Sequence, residues 1–220
     1  MSLRASIAAL GAAIMIGVAA LAHAATEQKP FSECVPDPEP YMAMDFANFD
    51  QGVAPAENSG ERVVWGWREI AQTPGCEDAI AELISAWRVR HDGELDDHDR
   101  SFIALHEGQM RAAAGDYERA IPLVEAGRVA FSDPVEQAYL DAIVAFLNHD
   151  RAALLAARDR MLAIPPPENW SELQRAFREQ ASQEMQWPLN IEATNKLVAC
   201  FGEHYPVSRE TTCSAGLAAR

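Results

Sequence analysis

From Gly60 onward the apolar residues of this chain recur every three or four positions, and the period holds almost to the C-terminus. Each segment therefore has one stripe to bury, as an amphipathic helix does, and no alternating run offers a half-buried strand. Glu61 to Gln72 carries Val63, Trp67 and Ile70, and Thr73-Pro74-Gly75 stops it. Glu77 to His91 carries Ile80, Leu83, Ile84 and Trp87 on one face. An acidic connector, Asp92 to Asp99, leads into a helix over Arg100 to Ala114. Gly115 breaks that helix, Asp116 caps the next to about Phe131, and Asp133-Pro134 starts another that ends near Asn148. Arg151 to Ile164 follows. Beyond the rigid Pro165-Pro166-Pro167 spacer, Trp170, Leu173, Phe177, Ala181 and Met185 line a further helix. Pro188 then resets the chain into a last one, with Ile191, Leu197, Val198 and Phe201 apolar. The predicted fold is all-α, with short turns making consecutive helices antiparallel hairpins.

The two ends differ from this body. Residues 1–24 read as a secretory signal: Arg4, the small and apolar run from Ile7 to Leu21, then Ala22-His23-Ala24 as cleavage site. The expected product is periplasmic or secreted. No later stretch reaches the roughly 20 apolar residues of a membrane span, so it is not expected to be membrane-embedded. Residues 25–60 form an irregular arm punctuated by Pro30, Pro36, Pro38, Pro40 and Pro55. Within it Tyr41 to Phe46 and Phe49 are too apolar for a free linker. They are expected to lie in a groove of the body as a short helical turn, with Phe46 and Phe49 covering Trp65. Residues 61–203 make the helical body, and residues 204–220 a C-terminal tail.

Four cysteines in an oxidising compartment point to pairing, for which three connectivities exist. The sequence-local pairs are preferred. Cys34–Cys76 would fasten the arm, and Cys200–Cys213 would close a loop beside the last helix. Metal binding by cysteine lacks a C-x-x-C pair. The net charge of −15 disfavours nucleic acid, whose phosphates need Lys and Arg to neutralise them.

One stretch resembles a known family. Ala104, Gly108, Gly115-Asp116-Tyr117 and Ala120-Ile121 are spaced as in a tetratricopeptide repeat, a helix–turn–helix unit of 34 residues. In that pattern Gly108 admits close approach of the second helix, Gly115 makes the turn, and Ala120 is small where the helices cross. Tyr117 fills the space between neighbouring hairpins. The 34-residue shift sets Ala142 under Gly108, Asp150 under Asp116 and Leu155 under Ile121, a second and degenerate copy. Glu107 and Arg111 depart from it, standing where the family places large apolar residues. Pro122 lies inside the second helix, and Leu154 replaces the small alanine. The resemblance implies a short α–α superhelix and a protein-binding scaffold, with Phe102, Leu105, Gln109, Ala112 and Ala113 on its concave face.

Chemistry-bearing residues are few. His106-Glu107 matches only the start of a two-histidine zinc motif, since Met110 stands where the second histidine is needed. His106 is expected to be satisfied by a buried neighbour. His91, Asp92, Glu94, Asp96, Asp97, His98 and Asp99 concentrate oxygen and imidazole groups without the spacing of a calcium loop, and a solvated connector is the ordinary reading. No nucleophile elbow or phosphate loop occurs, and no cofactor is expected. The leading function is an exported adaptor binding a protein or peptide, with Phe102, Leu105, His106, Gln109 and Trp65 as candidate contacts. The alternatives are a metal-assisted hydrolase built on His91–Glu107 and a small-molecule carrier.

Overall fold

A computed structural model describes residues 27–51, 66–181, 184–206 and Cys213. The expected signal segment and Trp65 lie outside the described residues. Those described are mostly helical and contain no strand. The arm carries two single-turn helices, α1 (Phe31–Cys34) and α2 (Glu39–Met42), and a π-turn over Ala47–Gln51. The body comprises α3 (Trp67–Ile70), α4 (Glu77–His91), α5 (Asp97–Ala113), α6 (Tyr117–Ala126), α7 (Pro134–Leu147), α8 (Arg151–Ala163), α9 (Trp170–Ala181) and α10 (Ile191–Ala199). Among the described residues no helix is long and apolar enough to cross a membrane.

The N-termini follow local chemistry. Asp96, Asp116, Asp133 and Asp150 each stand at the N-cap, where their carboxylates accept from backbone N–H groups that lack a partner within the helix. The acidic connector is thus partly helical: Asp92–Glu94 form a 3₁₀ turn, and α5 starts at Asp97, not Arg100. At α6 the expected helix ends early, at Ala126, and a 3₁₀ turn carries the chain to Ala130.

Two hairpins, α5–α6 and α7–α8, repeat one turn bond for bond. Asp116 N–H reaches the Arg111 carbonyl at 2.8 Å and Gly115 N–H reaches Ala112 at 3.0 Å. In the second hairpin Asp150 N–H reaches Ala145 at 2.9 Å and His149 N–H reaches Phe146 at 3.0 Å. Both are Schellman caps, which require a left-handed residue at the turn. Gly115 adopts φ +87°, and His149 takes φ +56° in the equivalent place. Gly108 brings α5 against α6: an added Cβ would lie 3.0 Å from Leu123 Cβ and 3.1 Å from the Ala120 carbonyl. Tyr117 meets Phe146 and His149 of the second hairpin, with ring centroids 6.5 and 5.8 Å apart.

Two apolar clusters result. One joins α5 to α8, α10 and Tyr205 around Leu140, Ile143, Phe146, Leu154 and Met161. The other is centred on Trp87 of α4, with Ile80, Leu83, Ile84 and Ile103 around it and Phe49 of the arm stacked on its ring at 4.5 Å. Between α4 and α5 lie the two departures from the repeat pattern, Glu107 and Arg111, both buried. Arg88 and Arg111 both pair with Glu107, and Arg111 also meets Glu82 at 2.7 Å and Asp78 at 3.4 Å. Charge takes the place of apolar packing at this interface because each buried ion has a partner.

Both cysteine pairs are joined as preferred, Cys34–Cys76 and Cys200–Cys213, which fits an oxidising compartment. The first fixes the arm beside the start of α4. Lys29 N–H reaches the Gly75 carbonyl at 2.7 Å, Trp87 Nε1 donates to the Met44 carbonyl at 3.0 Å, and Arg90 meets Glu39 at 3.4 Å.

Candidate functional site

A cleft of about 550 Å³ opens between α5, α7 and α10. Gln109 and Met110 of α5 form one wall, Tyr139 of α7 and Tyr205 the floor, and α10 the other wall. The α10 side follows helical spacing: Glu192, Asn195, Lys196 and Ala199 share a face, and Ala193 and Leu197 lie beside it. Glu192 and Asn195 are exposed, so this wall reaches solvent. The volume lies within the range of ligand pockets, which are mostly apolar with a few convergent polar groups.

Three polar groups meet at the floor. Gln109 Nε2 donates to the Tyr139 hydroxyl at 3.2 Å, and Tyr139 shares a hydrogen bond with Tyr205. Burial pushes the Tyr139 phenol up to about 12 and holds Tyr205 well above its ordinary value, so both keep their protons in any neutral medium. Tyr205 is placed by packing on Phe146, with ring centroids 5.7 Å apart, and by its own backbone N–H, which bonds Tyr117. Nearby, Cys200 holds Cys213.

A second polar cluster fastens the arm. Asp50, wholly buried, accepts from His106 Nδ1 at 2.7 Å and Trp67 Nε1 at 3.0 Å, and Arg68 Nη2 lies 3.4 Å away. Arg68 Nε also donates to the Asp50 carbonyl at 2.6 Å, and its guanidinium covers the Trp67 ring at 4.3 Å. Arg68 Nη2 faces His106 Nε2 at 3.5 Å. Burial alone would raise the Asp50 carboxyl. The His106 bond and charge, with Arg68 and Trp67, outweigh it and hold the carboxyl below its ordinary value of 3.8. Gly66 makes this approach possible. Its φ is +62°, and an added Cβ would fall 2.0 Å from the Phe49 carbonyl.

Gly66 also corrects an expectation. The helix expected over Glu61 to Gln72 begins, among the described residues, only at Trp67, because Gly66 takes φ +62°, outside the right-handed helical region. Phe49 stacks on Trp87, and the expected cover of Trp65 lies outside the described residues.

Of the candidate contacts, only Gln109 lines the cleft. Leu105 is buried in the core and offers no surface to a partner, because α5 is covered there by the turn that follows α6. Ala112 is buried in the same cluster. Phe102 is half-buried among His98, His106 and Phe131. His106 has the buried neighbour expected of it, Asp50. Sequence reasoning missed Asp50, Tyr139, Tyr205 and Lys196. For Asp50 the available signal was a carboxylate directly after Phe49, at the end of a stretch rich in apolar residues.

The histidine-rich connector does not converge on one centre. Asp96, His98 and Asp99 bring ligand atoms within 4.8 Å of one another at the exposed start of α5, where Asp96 serves as cap and His98 bonds Asp99 at 3.1 Å. His91 turns away to the Met42 carbonyl and Glu94, at 3.0 and 2.9 Å.

Comparison with protein-family models, with curated proteins and with solved structures finds no match to this chain.

Proposed function

We propose that this chain is an exported helical-hairpin adaptor of the cell envelope, and that the α5–α7–α10 cleft receives a segment of another protein. The observation that carries the reading is the cleft's construction: an open, largely apolar trough with a buried Gln109–Tyr139–Tyr205 floor and a polar rim on α10. The export signal read in residues 1–24 and the two disulfides support the compartment. The likeness of residues 104–121 to a tetratricopeptide repeat supports binding through the first helices of the hairpins, which are α5 and α7 here.

A photo-crosslinking residue at Asn195, on the rim, tests this in the native compartment. A discrete protein adduct is expected at Asn195, absent from a control at exposed Val89 on α4. The adduct should disappear when Ala193→Trp fills the trough. Identical adducts from both positions, or none from Asn195, would overturn the reading. The cleft volume also suits a small molecule, so a carrier is the second reading. A carrier would enclose its cargo, whereas this cleft meets solvent at Glu192 and Asn195.

A further inference from the structure

The cleft is unusual in this acidic chain for what its walls offer. Lys196 lines it and has no carboxylate partner among the described residues. Asn195 adds a side-chain amide at the rim. On the floor, Gln109 and the two phenols satisfy one another: Gln109 Nε2 donates to the Tyr139 hydroxyl, and Tyr205 bonds both Gln109 and Tyr139. The Lys196 ammonium is therefore the charged donor left for a molecule entering the cleft. Around these groups lie Met110, Ala193, Leu197, Ala199 and Pro206. The one acid in the lining, Glu192, sits a helical turn before Lys196 on the exposed rim and not on the floor.

From this ammonium in an apolar trough we infer that the cleft recognises a carboxylate carried on a compact apolar body, with Lys196 as its charged donor and the Asn195 amide beside it. The inference rests on the cleft being the binding site and names the chemistry of what enters. The chain's overall negative charge does not oppose it, because salt screens distant charges within about 8 Å whereas Lys196 lies in the wall itself. Charge-assisted bonds to a carboxylate are roughly twice as strong as those to a neutral amide, so an acid and its amide separate this recognition from simple apolar burial.

Calorimetry on the oxidised exported chain with octanoate and octanamide provides the test. Octanoate is expected to bind about tenfold more tightly than octanamide. Lys196→Met keeps an apolar stem on the helix and should reduce octanoate to the affinity of the amide, with octanamide and the melting temperature unchanged. Lys196→Arg should retain the preference. A capped apolar peptide with one glutamate, against its glutamine twin, identifies the carrier of the group. Preference for glutamate without octanoate binding assigns the carboxylate to a partner chain, and octanoate binding without peptide binding assigns it to a free organic acid. Equal affinity within both pairs, absence of binding in both, or a preference that survives Lys196→Met overturns the inference. Capture at Asn195 alongside equal acid and amide affinities would leave the proposed adaptor standing and remove the carboxylate alone.

Discussion

The arm and the paired hairpins are held in place by opposite means. The hairpins repeat one device: an Asp cap, a small or apolar crossing residue and a Schellman turn with a left-handed residue. Their stability is distributed over many similar contacts. The arm repeats nothing. It has two single-turn helices, and it is held by one disulfide, one ring stack and a handful of bonds, each made once. A repeated device tolerates the loss of one contact, whereas a fastening made once does not.

The largest test of that contrast is covalent. Replacing Cys34 and Cys76 by alanine opens a loop of 42 residues and should cost about 4 kcal/mol, against about 3 kcal/mol for the 13-residue Cys200–Cys213 loop. Urea unfolding of the two variants measures both. Equal losses would show that the arm gains nothing particular from its clamp.

Next comes Asp50. Asp50→Ala leaves Trp67 and His106 without an acceptor and should destabilise by about 3 kcal/mol, the lower end for a broken buried pair because Arg68 keeps 41% of its side chain in solvent. The same carboxylate predicts a pH limb. Its folded value lies below 3.8, so its stabilisation is complete above 3.8 and is lost as pH falls through the folded value. Asp50→Ala should flatten that acid limb in denaturation curves taken at stepped pH. An unchanged limb would assign it to other carboxylates.

Within the hairpins the effects are smaller. Gly108→Val forces side-chain methyls against Leu123 and Val124 and should cost about 2 kcal/mol by thermal unfolding. At the two equivalent turns, Gly115→Ala should cost about 1 kcal/mol, because an alanine Cβ is strained at φ +87°. His149→Gly should gain about 0.5 kcal/mol by relieving the same conformation. Opposite signs at Gly115 and His149 would sharpen the claim that these are one turn written twice.

The same contrast explains what could be read in advance. α4 was legible to the residue, and α7 and α8 nearly so, because period and caps are local properties. The cysteine pairing was legible because sequence-local loops close readily. The Asp50–His106 bond was not, since it joins residues 56 positions apart and leaves no periodic trace. The cleft was invisible for a related reason. Its floor forms only where Tyr205 returns to α7, and nothing near Tyr205 in the sequence names Tyr139 as its neighbour. Gln109 was singled out on helical register alone, and register also selected Leu105, which the core took instead.

The bond between Cys34 and Cys76 has a consequence for how this chain would survive proteolysis. It brackets every residue from 35 to 75, so a protease that cuts once anywhere in that interval severs the backbone yet releases no fragment. A nicked molecule would run as one band on a gel until a reductant is added, and only then fall into two.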